Sequence, residues 1–264
     1  MKVKIDFGVK MSFLNKYVAL AFIASLFFDV YAASLTEYRV YLDDNNRVKK
    51  YILGNSSMNK ELCEIEFMNM RFDKKGKEDK SISPIFLQSK TEELLSKIKY
   101  SPSKITLEPI TTQTVNFVLK RSVKNEEAKE YRAYIDFRCK KAFENTDKVN
   151  GIQVSVTPTI VQRVPIIIRT GELEANLSFL DIKRDNRNLD ITFSFQGTRS
   201  VYGDLKLYSS DIMISQKKGI AIYPETSQKN VAINIPSKYL TKELKLVFEE
   251  REAFGGNIKI EKTL

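Results

Sequence analysis

Apolar and polar positions alternate along much of the chain. In "LCEIEF" Cys63, Ile65 and Phe67 fall at period two, and in "EYRAYIDFRC" so do Tyr131, Ala133, Ile135, Phe137 and Cys139. Successive side chains of a strand point to opposite faces, so each run predicts a strand with one buried side. Shorter runs of the same kind follow one another, broken by Asn, Asp, Gly and Ser, and helical spacing is scarce. The pattern predicts an all-β protein.

Before residue 170 the runs are "EYRVYL" with the turn "DDNN", then "VKKYIL", "LCEIEFMNMRF", "YSPSKITLEP", "TVNFVLKRS", "EYRAYIDFRCKK" and a last strand from Gly151 to Thr170. About seven strands in roughly 135 residues fit a sandwich of immunoglobulin type. Residues 73–98, with "DKKGKEDK" and a helix-like "TEELLSKI", interrupt the series and are expected to be an exposed insertion. After Gly171 a second set runs from "EANLSFLDIKR", the turn "DNRN" and "LDITFSFQG" through "DLKLYSS", "GIAIYP", "NVAINIP" and "LKLVFEE" to "NIKIEKTL", predicting a second, smaller sandwich. No Gly/Ser linker separates the two, so the angle between them is expected to be fairly fixed.

The strand 151–170, "GIQVSVTPTIVQRVPIIIRT", is unusual. Ile152, Val154, Val156, Pro158 and Ile160 alternate, and Val164 to Ile168 are continuously apolar. At about 3.3 Å per residue it would far exceed the usual five or six residues. Its two prolines cannot donate to a ladder, which points to an edge strand. A long apolar edge invites aggregation unless something covers it.

The start of the chain differs. Lys10 and Lys16 precede an apolar stretch, Val18 to Phe28, followed by Val30-Tyr31-Ala32. This reads as a secretory signal peptide over 1–32, with a mature start at Ala33; the stretch is short against the ~20 residues of a membrane span. Formal charge is +10, and the segment 33–264 keeps +8. The lysines are scattered as solvated pairs such as Lys49-Lys50 and Lys217-Lys218, with no aromatic-interleaved stripe, so no nucleic-acid partner is expected. There is no histidine, which removes the commonest general base and metal ligand. Two cysteines cannot build a zinc site unaided, and neither a Gly-rich phosphate loop nor a GxSxG elbow is present. The chain is expected to bind rather than catalyse, with no cofactor, no metal and no small-molecule substrate. In an exported chain Cys63 and Cys139, both on buried faces and 76 residues apart, are expected to form a disulfide worth about 4 kcal/mol by loop entropy; two packed free thiols are the alternative.

The chain resembles the periplasmic chaperones of the chaperone–usher pilus pathway, and the resemblance covers most of residues 33–264. "TEYRVYL" is similar to the family's first strand with its arginine, here Arg39. "SPSKITLEPITTQTVNFVLKR" keeps Pro102, Leu107, Pro109 and a displaced Arg121, with Ile110 where the family has glycine. "EYRAYIDFR" supplies Glu130 and Tyr134, "VPIIIR" looks like the end of the family's donor strand, and "GTRSVYGDL" resembles an alternative branch. The resemblance implies two immunoglobulin-like β-sandwich domains, 33–168 and 169–264, in an L-shaped arrangement. It implies donor-strand complementation: 151–168 fills the open core of a pilus subunit with Ile152, Val154, Val156 and Ile160. It implies that Arg39 holds the subunit's C-terminal carboxylate. The lysine expected beside it falls on Pro165, so Arg163 is the nearest substitute and Arg121 a remoter candidate. Arg169 and Glu130 resemble a junction ion pair, whose third, acidic member falls on Ala253, with Glu252 adjacent. The implied partners are pilus or fimbrial subunits and an outer-membrane usher, and the implied location is the periplasm; self-association of the free protein stays open. The rival reading is a secreted two-domain fimbrial adhesin or structural subunit.

Overall fold

A computed structural model describes residues 33–121, 127–142 and 158–264. The expected signal segment 1–32 and the expected donor residues Ile152, Val154 and Val156 lie outside the described residues. Strands β1 (Ser34–Leu35), β2 (Val40–Leu42), β3 (Val48–Asn55) and β4 (Glu61–Met68) lead to helix α1 (Pro84–Lys97), and β5 (Ile98–Ser101), β6 (Lys104–Leu107), β7 (Thr111–Leu119), β8 (Lys129–Lys141) and β9 (Thr159–Thr170) complete the first domain. They form two sheets, ordered β1-β3-β7-β5 and β2-β9-β8-β4-β6. Tyr51, Leu53, Val115 and Phe117 from one meet Ile65, Ile135, Phe137 and Ile166 from the other in a single core. At its centre Tyr51 stacks on Phe137, ring centroids 5.1 Å apart, and its hydroxyl donates to the Glu37 carbonyl.

The period-two pattern gives the register its sense. β4 and β8 pair antiparallel with Cys63 directly opposite Cys139, and the two are bonded. "YSPSKITLEP" is two strands in different sheets, because the chain crosses between sheets at Pro102, which has no N–H to keep in a ladder.

The stretch 73–98 is mostly exposed and its helix-like "TEELLSKI" lies in a helix, as expected, but it is anchored to both domains. Helix α1 starts at Pro84 behind Ser83, whose hydroxyl accepts from the Phe86 N–H at 3.3 Å, the usual N-cap chemistry. Leu94 and the following Ile98 are buried in the first core. The loop before the helix crosses to the second domain, as described below.

That domain contains β10 (Ala175–Asp185), β11 (Asn188–Gly197), β12 (Val201–Ser209), β13 (Ile212–Ile222), β14 (Gln228–Asn234), β15 (Lys245–Glu250) and β16 (Lys259–Thr263). Sheets β10-β11-β14 and β13-β12-β15-β16 enclose a separate core around Ile191, Phe193, Leu205, Leu207 and Phe248. The expected turn "DNRN" joins β10 to β11, with Asn186 at φ 47°, a left-handed conformation that asparagine tolerates. Each β-sandwich thus closes its own core, and what joins them lies on the outer face of the β2-β9-β8 layer. Among the described residues no helix is long and apolar enough to cross a membrane.

Candidate functional site

Alternation assigns the face. Val40 and Leu42 of β2, Ala133 and Ile135 of β8, and Val164, Ile166 and Ile168 of β9 all point into the first core. Their sequence neighbours therefore point to the other side. In the register Tyr134 lies opposite Pro165, Arg132 opposite Ile167, Glu130 opposite Arg169 and Asp136 opposite Arg163. β2 runs parallel to β9, with Val40 beside Ile166 and Tyr41 beside Ile167. Arg39 thus comes level with Pro165, and Tyr134 flanks that proline on its other side.

The second domain covers this face through Ser200, Tyr202, Tyr223, Glu225 and Phe254. Arg169, the last arginine of β9, donates from Nε to Glu130 Oε2 at 3.0 Å, from Nη2 to the Ser200 carbonyl at 2.7 Å, and from Nη1 to the carbonyls of Phe254 and Gly255 at 3.3 and 3.1 Å. Glu130 Oε2 also accepts from the Ser200 N–H and hydroxyl, at 2.8 and 2.9 Å. Where an acid was expected at Ala253 or Glu252, both exposed, two backbone carbonyls serve instead. Gly255 makes this approach possible. Its φ is +69°, and a Cβ there would fall 2.1 Å from the Tyr41 hydroxyl and 3.0 Å from Arg169 Nη1. Burial is the main cause that pushes the Tyr41 hydroxyl up to about 12.

Among the described residues four arginines are buried: Arg39, Arg132, Arg169 and Arg199. Three have a carboxylate. Arg169 has Glu130 at 3.0 Å, and Arg199 has both oxygens of Glu250, at 2.8 and 3.0 Å. Arg132 forks onto Glu225, from Nη1 at 3.2 Å and from Nη2 more closely still. Arg39, only 3% exposed, has none among the described residues. Its guanidinium carbon lies 3.9 Å from the centroid of the Tyr202 ring and 6.0 Å from that of Phe254, and its Nε is sealed from solvent without a hydrogen-bond partner.

Beside Arg39 the Tyr134 and Tyr223 hydroxyls meet across the domain boundary at 3.2 Å. Burial, then the neighbouring Tyr223 phenol, pushes the Tyr134 hydroxyl well above its ordinary range. Arg132 lies 4.0 Å over the Tyr223 ring. Burial raises the Glu225 carboxyl, but the hydrogen bond and charge of Arg132 outweigh it and hold the group below its ordinary range. Arg163 is placed one rung outward. Its Nε and Nη2 bind both oxygens of Asp136, at 2.7 and 2.8 Å.

Residues 72–76 form a strap onto the second domain. Phe72 stacks on Tyr223 at 4.8 Å, and its N–H donates to Glu225 Oε1 at 3.2 Å. The Lys74 carbonyl accepts from the Ser227 and Gln228 N–H groups at 3.1 and 2.9 Å, and Lys229 Nζ donates to the Gly76 carbonyl at 2.9 Å.

Of the expected site residues, Arg39, Arg169 and Glu130 share the covered face, Arg163 lies at its rim, Ile160 lies on the core-facing side of β9, and Cys63 and Cys139 lie deep in the first core. Glu61 offers a carboxylate close to the two sulfurs, but the disulfide leaves no thiolate there to hold a metal. The strap, Tyr202, Tyr223 and Glu225 were not expected. Arg132 and Tyr134 do share the phase of Glu130 along β8, so their outward direction was readable; what they meet was not.

The last free feature is an edge. In the sheet order β9 has β8 on one side and β2 on the other, and β2 pairs only with Ile166 to Ile168. Among the described residues nothing pairs with the outer edge of β9 from Thr159 to Pro165. No protein-family model and no curated protein matches the sequence. Solved chaperone structures are similar to the chain. The CupB2 chaperone of Pseudomonas aeruginosa is 13% identical, with 88% of this chain and 100% of that one covered and a TM-score of 0.48. The YadV chaperone is 12% identical, with 88% and 99% covered and a TM-score of 0.48. A chain of the CsuC–CsuE chaperone–tip adhesion subunit pre-assembly complex from Csu pili of Acinetobacter baumannii is 10% identical, with 87% and 97% covered and a TM-score of 0.46.

Proposed function

We propose that this protein is an exported, non-enzymatic chaperone that binds pilus or fimbrial subunits in the periplasm by lending them β9 as a strand, and passes them to an outer-membrane usher. The observation that carries the reading is Arg39, the one buried arginine among the described residues without a carboxylate. An unpaired buried charge costs several kcal/mol. Stacking on Tyr202 offsets about 0.5–2 kcal/mol of that. A guanidinium kept in this state is suited to an anion supplied from outside, and its fork fits a carboxylate.

The free edge supports a route for that anion. A foreign strand laid along Thr159 to Pro165 continues the line of β2 and stops where Arg39 begins. If it runs parallel to β9, its C-terminal carboxylate meets the guanidinium; if antiparallel, an ammonium does, and the charges repel. Parallel strand addition is therefore favoured, with ladder bonds supplying affinity and alternate side chains supplying fit. Ile160 shares the inward phase of Val164 and is only half-buried. Ile152, Val154 and Val156 continue that phase by sequence, and each could contribute about 1.5–3 kcal/mol on full burial in a partner. With the fork of Arg163 on Asp136, the anchor is assigned to Arg39. Arg169 and Glu130 hold the domains in place around it.

The test is co-expression with a tagged pilin-like subunit encoded nearby. The wild-type protein co-purifies with it. Arg39→Ala lowers the affinity about tenfold or more, the loss expected for a charge-assisted pair, while remaining folded. Undiminished capture by Arg39→Ala would overturn the assignment.

A further inference from the structure

We infer that the Tyr134–Tyr223 phenol pair is the second donor to the carboxylate held by Arg39, so that the anchor of this chain is one guanidinium and one phenolic O–H. The inference rests on the carboxylate-anchor reading of Arg39 given above. A carboxylate bound to a single guanidinium keeps lone pairs to satisfy, so a second donor at the same place completes the anchor. The nearest position, Pro165, offers no side-chain donor. The forks of both neighbouring arginines are occupied, Arg163 by Asp136 and Arg132 by Glu225. What remains is Tyr134, opposite Pro165 in the register and near enough for the charge of Arg39 to act on its phenol.

The two hydroxyls lie 3.2 Å apart, and either can donate to the other. Two phenols bring two protons, and their mutual bond uses one. Whichever donates, the second O–H has no acceptor among the described residues, although both tyrosines are buried, at 6% and 7% exposure. A buried hydroxyl with a spare proton is a donor awaiting an acceptor. The pair also joins the domains, Tyr134 from β8 and Tyr223 from the end of β13, so the carboxylate would be read by both at once. Burial keeps the Tyr134 phenol protonated, and thus a donor, at neutral pH.

The experiment titrates the full folded protein, labelled with 13C at the tyrosine Cζ, with sodium propionate as the carboxylate probe and propionamide as the neutral control. Propionate, not propionamide, is expected to bind saturably and to shift the Tyr134 and Tyr223 resonances, assigned from the single Tyr→Phe variants. Tyr134→Phe/Tyr223→Phe keeps both rings, and with them the Arg132 stack, and is expected to weaken propionate about ten- to a hundredfold; Arg39→Ala is expected to abolish binding. If Arg39→Ala abolishes binding while the double variant binds as wild type, the phenol role is wrong and Arg39 stands. If binding survives Arg39→Ala, or the wild type shows none, the anchor reading falls and the phenol role with it. Should the double variant not fold, the wild-type shifts decide: saturation that leaves both phenol resonances unmoved overturns the inference.

Discussion

At the scale of single residues, four buried arginines of the same chemistry do different things because of what faces them. Arg199 lies inside the second domain, forked on Glu250, which also accepts the N–H groups of Asn257 and Ile258 at 3.0 and 2.9 Å. Removing Arg199 strands a buried carboxylate, whereas removing Arg39 strands nothing. Arg199→Ala should therefore cost about 3–5 kcal/mol of stability, and Arg39→Ala should cost under about 1 kcal/mol or stabilise the free protein. Urea denaturation of the two variants against wild type checks this. A loss at Arg39 as large as that at Arg199 would show that its guanidinium has an internal partner. Much of this contrast was hidden in the sequence. Arg39 stood out through the resemblance of "TEYRVYL" to the family's first strand; nothing singled out Arg199, whose partner lies about fifty residues on.

Strands were largely legible, and so was the helical end of the insertion, but what the insertion packs against was not, for a physical reason. Period-two alternation is a direct consequence of the pleat, so "LCEIEF" and "EYRAYIDFRC" showed both their conformation and the facing cysteines. Helix α1 buries little more than Thr91 and Leu94, too narrow a stripe to print a period on a charged stretch. The strap binds through backbone carbonyls at Asp73, Lys74 and Gly76, which any sequence supplies equally. The extended strand belongs with the legible elements. Its described part, β9, keeps the phase of Ile160, Val164 and Ile166, and that phase carried back along the sequence reaches Val156, Val154 and Ile152. Val156→Asp should then abolish subunit capture, because a carboxylate would enter the partner's core unpaired. Its thermal midpoint should stay within about 2 °C of wild type, as expected for a site outside the protein's own core. Pull-down and melting of one preparation measure both, and a drop of many degrees would place Val156 in the first domain's own core.

For the whole molecule the cleft between the sandwiches is closed at two ends by different chemistry. At the junction Arg169 and Glu130 bind Ser200 and the carbonyls of Phe254 and Gly255. At the far end the strap meets Glu225, which accepts from Arg132 and the Phe72 N–H and lies 3.9 Å from Arg71. Glu225 is the carboxyl that joins the strap to Arg132 at that end, and it is held below its ordinary range. A carboxyl depressed on folding contributes stability that is present above its unfolded value, about 4.3, and is lost as pH falls through the folded value. The strap should therefore hold at neutral pH and release in acid, below the ordinary carboxylate range, as Glu225 gains a proton and leaves Arg132 unpaired. The amide resonances of Ser227 and Gln228, which donate to the Lys74 carbonyl, should move together in that step. Glu225→Gln places a neutral side chain opposite Arg132 at every pH, so its two amides should already sit at their acid positions at pH 7 and show no step. A step of wild-type size in Glu225→Gln would assign the transition to another carboxylate. Asp73 would be the first candidate: its Oδ1 accepts the Lys75 and Lys77 N–H groups at 2.8 and 2.9 Å and shapes the strap from within. The strap would then be held by its own turn rather than by the ion pair beneath it.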